Sequence, residues 1–244
     1  MYIPFLAREN VSAVVVSGQA NKKSVGILED MGIAVIKTTR VSHLYDSIAY
    51  HPDIVIHPIQ RHRVIVAPNI DESLKDSLRA CGIDFIVGDT FLKRNYPFNI
   101  AYNVARIGET AFHNVKYTDP VIKKCYFKDG IRLIHVNQGY GKCSVVPVDQ
   151  NAFITSDMGL KKAGYRAGLD VLLIRPGHIK LEGMPYGFIG GTCGFIKRDV
   201  IAFYGDVYSH PDGDSIIKFL HKYGIKASII HKGPLEDIGS IIPL

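Results

Sequence analysis

Cysteine is scarce in this sequence and never clustered. The four present, Cys81, Cys125, Cys143 and Cys193, stand far apart without any CxxC pair, which argues against a zinc ribbon or a redox dithiol and for separate reduced thiols. Long apolar runs are missing as well. No stretch approaches the ~18 residues needed to span a bilayer, and the opening "MYIPFLARENVSAVVVSG" has neither a basic leader nor an uninterrupted apolar segment. These absences predict a cytoplasmic chain without a membrane partner. Blocks of like charge are absent too: the net charge is +6 and the pI about 9.0, yet basic residues come in ones and twos such as Lys22-Lys23, Lys123-Lys124 and Lys161-Lys162. A scattered excess reads as a solvated surface, so nucleic acid is not an expected partner. There is no Walker loop, no GxGxxG after a strand and no HExxH, and His210 and Asp212 in "SHPDGDS" read as a helix-start turn. No cofactor and no metal are therefore expected. Nothing in the pattern signals an oligomeric state.

What is there is a repeat. At 244 residues, 47% hydrophobic and 21% charged, the chain can bury a substantial core, read here as one domain over 1–244. A glycine, a branched apolar residue and a strand-like run recur as "GIAVIK" at Gly32, "GIDFIV" at Gly82, "GIRLIH" at Gly130, "GLDVLL" at Gly168 and "GIKASI" at Gly224. Each glycine follows apolar residues at helical spacing, such as Leu74, Leu78 and Cys81, or Ile216, Leu220 and Tyr223. It occupies the place where a left-handed residue closes a helix. Each helix is preceded by a β-rich stretch ending in a polar cap, with Asn69 or Asp71, Asp119 before Pro120, and Ser156 or Asp157 as N-cap candidates. Before those stretches lie further strand candidates, "DIVIHP", "NIAYNVA", "CSVVPV" and "YGFIGG". The predicted unit is β-β-α-β.

The first repeat lacks its inner strand, and the C-terminal "DIGSIIPL" is the complementary piece. Successive glycines are 50, 48, 38 and 56 residues apart, and counting from Gly224 through Leu244 and round to Gly32 gives 52. The pattern predicts a five-fold pseudosymmetric α/β-propeller, closed by pairing of the N- and C-terminal strands in one unit, as closed β-propellers remove exposed edges. An open α/β sheet explains the capped helices equally well but not the paired strands or the matching half-units at the two ends.

On these features the sequence resembles the pentein superfamily, the guanidine-group-modifying enzyme fold. That superfamily includes deiminases, dimethylarginine dimethylaminohydrolases, amidinotransferases and a non-catalytic, ribosome-binding translation initiation factor. Its enzymes are similar in carrying a cysteine nucleophile on the closing strand, after Gly-Ser-hydrophobic-(Arg or His). The matching stretch here is Gly239-Ser240-Ile241-Ile242-Pro243, with proline in the place of the thiol. The resemblance implies that the usual cysteine chemistry is doubtful, with Cys143 or Cys193 as substitute nucleophiles and His178 as a candidate base. It also implies Glu182, in "LEG", as a guanidinium-holding carboxylate. Each has a plainer reading, as a small buried hydrophobe, a loop histidine or a solvated turn carboxylate.

Alternation along the inner strands adds a pocket hypothesis. Asp53, Val55 and His57 share a face if "HPDIVIHP" is extended, and His57, Asn103, Asp149 and Asp237 would then converge on the pseudo-axis as ligand-binding residues. The expected function is binding of a small polar ligand, guanidino or amino-acid-derived, in an axial cleft. The alternative is a non-catalytic interaction platform like the initiation factor. A thiol within reach of a histidine and a carboxylate in a concave pocket favours the first, and a smooth axis the second.

Overall fold

A computed structural model describes residues 2–7 and 9–244. The chain forms β1 (Ala13–Val16), α1 (Lys22–Asp30) and β2 (Ala34–Lys37), then a single helical turn α2 (Pro52–Val55). Four complete units follow, the first three being β3 (Ile56–Gln60), β4 (Arg63–Val66), α3 (Glu72–Ala80) and β5 (Asp84–Val87); β6 (Ala105–Ile107), β7 (Thr110–His113), α4 (Pro120–Lys128) and β8 (Arg132–His135); and β9 (Val145–Asp149), β10 (Ala152–Thr155), α5 (Met158–Arg166) and β11 (Asp170–Leu173). The last elements are β12 (Cys193–Lys197), β13 (Val200–Asp206), α6 (Gly213–Lys222), β14 (Lys226–Pro234) and β15 (Ile242–Pro243).

These strands form five three-stranded sheets of one topology. In each, the middle strand pairs antiparallel with the inner strand and parallel with the outer one, which the helix connects. The fifth sheet is completed by the chain ends: β15 lies antiparallel to β1, with Val14 opposite Pro243 and Val15 opposite Ile242. Leu244 N donates to Ala13 O at 2.9 Å, which ties the last residue down. The predicted closure is therefore present, and a terminal strand that would otherwise fray is held in a sheet.

Local chemistry explains the repetition. Asn21, Asp71, Asp119 and Asp157 cap their helices by accepting backbone N–H bonds at 2.8–2.9 Å. The glycines that follow five of the helices, at 32, 82, 130, 168 and 224, all have φ between 69° and 79°, where a side chain would be strained. Asp212 stands at the start of α6 without capping it; its carboxylate instead takes two bonds from the Arg175 guanidinium, at 3.0 and 2.8 Å.

The inner strands begin later than the sequence pattern indicates. Residues 52–55 turn helically before β3, "NIAYN" is a turn before β6, and Ile189–Thr192 form a tight 3-10 turn before β12. Short apolar runs do not reveal this, because a buried turn and a buried strand look alike in hydrophobicity. The turns are what the ring is built around. Asp53 N donates to Gly239 O (3.3 Å), Lys142 N to Asn103 O (3.1 Å), Gly191 N to Cys143 O (3.1 Å) and Ser240 N to Gly191 O (2.8 Å). Asn103 Nδ2 completes the circle with a bond to Asp53 O at 2.9 Å. Five hydrogen bonds thus link all five units head to tail around the axis.

Candidate active site at the ring axis

The residue two or three positions before each inner strand falls on this axis: Asp53, Asn103, Cys143, Gly191 and Ser240. All are buried except for a cavity on one side. Cys143 Sγ donates to Asp53 Oδ2 at 3.2 Å and accepts from Asn103 Nδ2 at 3.1 Å, while Asn103 Oδ1 takes the Cys143 backbone N–H at 3.1 Å. The amide therefore fixes both the backbone and the thiol of Cys143. Asp53 Oδ2 also accepts from Ser240 Oγ at 2.5 Å, and Ser240 Oγ in turn receives Lys142 Nζ at 2.9 Å. The buried ammonium is further held by Gly190 O at 3.0 Å. A carboxylate, a hydroxyl and a buried cation thus form one chain, which offsets the cost of burying charge.

Asp237 and His51 complete the floor. Asp237, 2% exposed, accepts from Phe188 N at 2.8 Å and Gly239 N at 3.1 Å, and its Oδ1 lies 3.9 Å from His51 Nδ1. Two glycines are required here. A Cβ on Gly191 would lie 1.8 Å from Asp237 Oδ1, and one on Gly239 would lie 2.5 Å from three atoms of His51, at a φ of +94°. Only a bare backbone lets these side chains approach so closely.

The electrostatics are those of a negative, desolvated site. Burial, reinforced by the neighbouring Asp53 and Asp237 charges, raises the Cys143 thiol well above its ordinary range. Burial also raises the Asp237 carboxyl to about 6, against the lowering effect of His51. Without a bound cation, Cys143 is a neutral thiol. Two buried polar atoms in the cluster make no hydrogen bond: Asp53 Oδ1, and His51 Nδ1, whose nearest charged neighbour is Asp237 Oδ1 at 3.9 Å. His51, Asp53 and Cys143 each offer a donor atom within 4.8 Å of the others. Tetrahedral zinc places its ligand atoms roughly 3.2–3.8 Å apart, and Cys143 Sγ and Asp53 Oδ2, 3.2 Å apart, already meet that spacing.

Cys143, His51 and Asp237 open into a cavity of about 250 Å³ walled by Tyr45, Tyr140 and Phe188. Beyond His51 and Asp237 a second, polar lobe of about 430 Å³ carries Asp46, Glu182 and Glu236. Tyr45 and Tyr140 share a hydroxyl–hydroxyl bond at 2.9 Å, and Tyr140 donates to Asn99 Oδ1 at 3.2 Å.

The structure gathers some of the sequence candidates and disperses others. Cys143, Asn103 and Asp237 meet at the axis, and exposed Glu182 lines the polar lobe. His57 does not join them. Because residues 52–55 are helical, Asp53 and His57 share no strand face, and His57 packs between Phe5 and Tyr126, bonded to the tyrosine hydroxyl at 2.6 Å. Burial, with help from Arg106, pushes it down to about 3, so it is a neutral core residue. Asp149 ends β9 at the hairpin remote from the axis, accepting from Asn151 N at 3.3 Å. His178 sits in a left-handed loop, edge-on to His210. Cys193 is packed beneath the ring, its thiol pushed up to about 12 by burial. Cys81 is exposed rather than on a core face. Sequence reasoning missed His51, Lys142 and Ser240. The available signal was their position just before each inner strand, which the misplaced strand starts concealed.

A model of the family of unknown function DUF6873 matches residues 15–242. This chain belongs to that family. No curated protein matches this DUF6873 member. Among solved structures it is similar to SxtG, an amidinotransferase of the saxitoxin biosynthetic pathway from Microseira wollei. The TM-score is 0.57 at 12% identity, covering 94% of this chain and 91% of that one. It is similar to DDAH from Pseudomonas aeruginosa, captured with citrulline, with a TM-score of 0.55, 8% identity and coverage of 91% and 92%. The agmatine deiminase of C. jejuni matches with a TM-score of 0.55, 11% identity and coverage of 94% and 90%. The architecture of this DUF6873 chain is the pentein fold. Among the described residues no helix is long and apolar enough to cross a membrane.

Proposed function

We propose that the axial cavity binds a small cation with a planar amidinium or guanidinium head, and that Cys143 is the nucleophile toward its central carbon. The observation that carries this reading is the pair of buried atoms beside the thiol that make no hydrogen bond, Asp53 Oδ1 and His51 Nδ1. Unsatisfied buried polar atoms are costly, and they cluster where a ligand completes them. A planar cation supplies N–H donors to Asp53 and Asp237 in the parallel geometry a carboxylate prefers, and Tyr45, Tyr140 and Phe188 offer aromatic faces to its charge. It also brings the positive charge that a thiolate requires, so the nucleophile is generated only when ligand is present. In the step itself the sulfur forms a bond to the amidino carbon. The thiol proton passes to Asp53, 3.2 Å away, and then to the nitrogen whose C–N bond breaks. This reading takes the first of the two substitute thiols, Cys143 in the fourth unit, since Pro243 occupies the closing-strand position where the resemblance puts the nucleophile of the enzymes. The cavity above Cys143 also weighs against a rigid interaction platform with a smooth axis.

Labelling with 2-chloroacetamidine tests this reading. At neutral pH one adduct should form stoichiometrically on Cys143, many-fold faster than with neutral 2-chloroacetamide, and it should vanish in Cys143→Ser. Equal, slow modification of all four cysteines by both reagents would remove the nucleophile assignment.

Binding should also depend on pH through Asp237. Its carboxylate must be ionised to hold a cation, so affinity for guanidinium compounds should fall as pH is lowered through about 6. The stability of the ligand-free protein has the opposite sense. A raised carboxyl keeps its proton longer in the folded than in the unfolded chain, so this group makes stability decline as pH rises from about 4 to about 6. Titration calorimetry and melting curves across pH 4–8 check both signs, and an affinity that is flat through pH 6 would exclude Asp237 from the ligand contact.

A further inference from the structure

The two lobes beside Asp237 differ in chemistry, and only one reaches the thiol. Cys143 opens into the aromatic lobe, whereas the polar lobe meets the site only at His51, Leu181 and Asp237. A ligand whose head touches Cys143 must therefore run its remaining atoms along Tyr45, Tyr140 and Phe188. The aromatic surface continues outward from there. Tyr140 and Phe188 have ring centroids 6.1 Å apart, Tyr96 lies 5.7 Å from Tyr140, and Tyr186 lies 6.4 Å from Phe188. Tyr96 and Tyr186 are about half exposed, as is Met184 at the rim.

Neither lobe is lined by lysine or arginine, among the described residues. The nearby cations are already engaged: Lys180 pairs with Glu236 at 2.8 Å, Arg40 with Asp46 at 2.5 Å, and buried Lys142 donates to Ser240 Oγ at 2.9 Å and Gly190 O at 3.0 Å. An acidic group on the tail would find aromatic rings, Met184 and the Asp237 carboxylate in place of the guanidinium fork that carboxylates and phosphates select. Desolvating an anion against that surface is doubly unfavourable.

We infer that the ligand is an amidine or guanidine carrying an apolar, preferably aryl, substituent and no acid group, so that free arginine is a poor fit. This rests on the cation-binding reading of the same site. The cation is held at Cys143, Asp53 and Asp237, the ring or alkyl tail is buried between the tyrosines and Phe188, and a carboxylate on that tail meets no cation there.

The test is a competition series on the full chain at pH 7.5. Phenylguanidine, methylguanidine and L-arginine each compete with 2-chloroacetamidine for Cys143, and calorimetry gives their dissociation constants. Phenylguanidine should bind at least about tenfold more tightly than methylguanidine, through the added aromatic burial, with L-arginine the weakest of the three. Phe188→Leu should shrink the phenylguanidine-to-methylguanidine ratio. L-arginine binding as tightly as phenylguanidine, with all three protecting Cys143, would overturn the inference and leave the cation site standing. No binding by any of the three would remove both.

Discussion

Deleting residues 239–244 should yield a chain that is insoluble or melts without a cooperative transition. The segment does more than end the molecule. It is the inner strand of the fifth sheet, paired to β1, and it supplies Gly239 O and Ser240 N to the hydrogen-bonded circle around the axis. Ile241 N also donates to Cys193 O at 3.1 Å. Its loss exposes Val14 and Val15, now fully buried, and leaves the β1 edge that pairs with β15 open, a liability for aggregation. Circular dichroism melts and size-exclusion chromatography of the truncated chain check this. A soluble truncation with a cooperative, near-native transition would show that the ring does not depend on closure.

The second large effect is expected at Lys142. Its side chain is buried, and it connects through Ser240 to the Asp53 carboxylate. Lys142→Met keeps much of the volume and removes the charge and two hydrogen bonds. Breaking a buried charge network by deleting one partner typically costs about 3–5 kcal/mol, because the remaining charge stays desolvated. Urea denaturation should show a loss of that size, with Cys143 labelling also impaired because Asp53 loses its fixed position. A loss below about 1 kcal/mol would mean that the Lys142–Ser240–Asp53 chain carries little of the site's charge balance.

The fold was legible because its determinants are local and repeated. A glycine at φ near +70° after a helix, an aspartate before one and a β-branched run between them are short-range signals, and five copies reinforce each other. The closure was legible for the same reason: "DIGSIIPL" had no partner except the half-unit that lacked one. The site was less legible. Cys143 and Asn103 could be placed near the axis because they stand just ahead of obvious strands. Asp53 was mis-paired with His57 because helical residues 52–55 read as extended, which turned attention to a core histidine. Lys142 and Ser240 had only their position ahead of a strand to mark them, since a buried lysine is recognisable once its acceptors, Gly190 O and Ser240 Oγ, are brought from 48 and 98 residues away.

The comparison with penteins, at 8–12% identity, fixes the architecture. What the axis does follows from this chain's own residues: Pro243 lies in a strand pairing with Val14, and the thiol beside two carboxylates belongs to Cys143. The most direct measurement is a crystal structure of the protein soaked with phenylguanidine. Density for its planar head between Cys143, Asp53 and Asp237, with the ring against Tyr140 and Phe188, is the predicted result. An axial cavity left empty while the compound occupies another surface would contradict it.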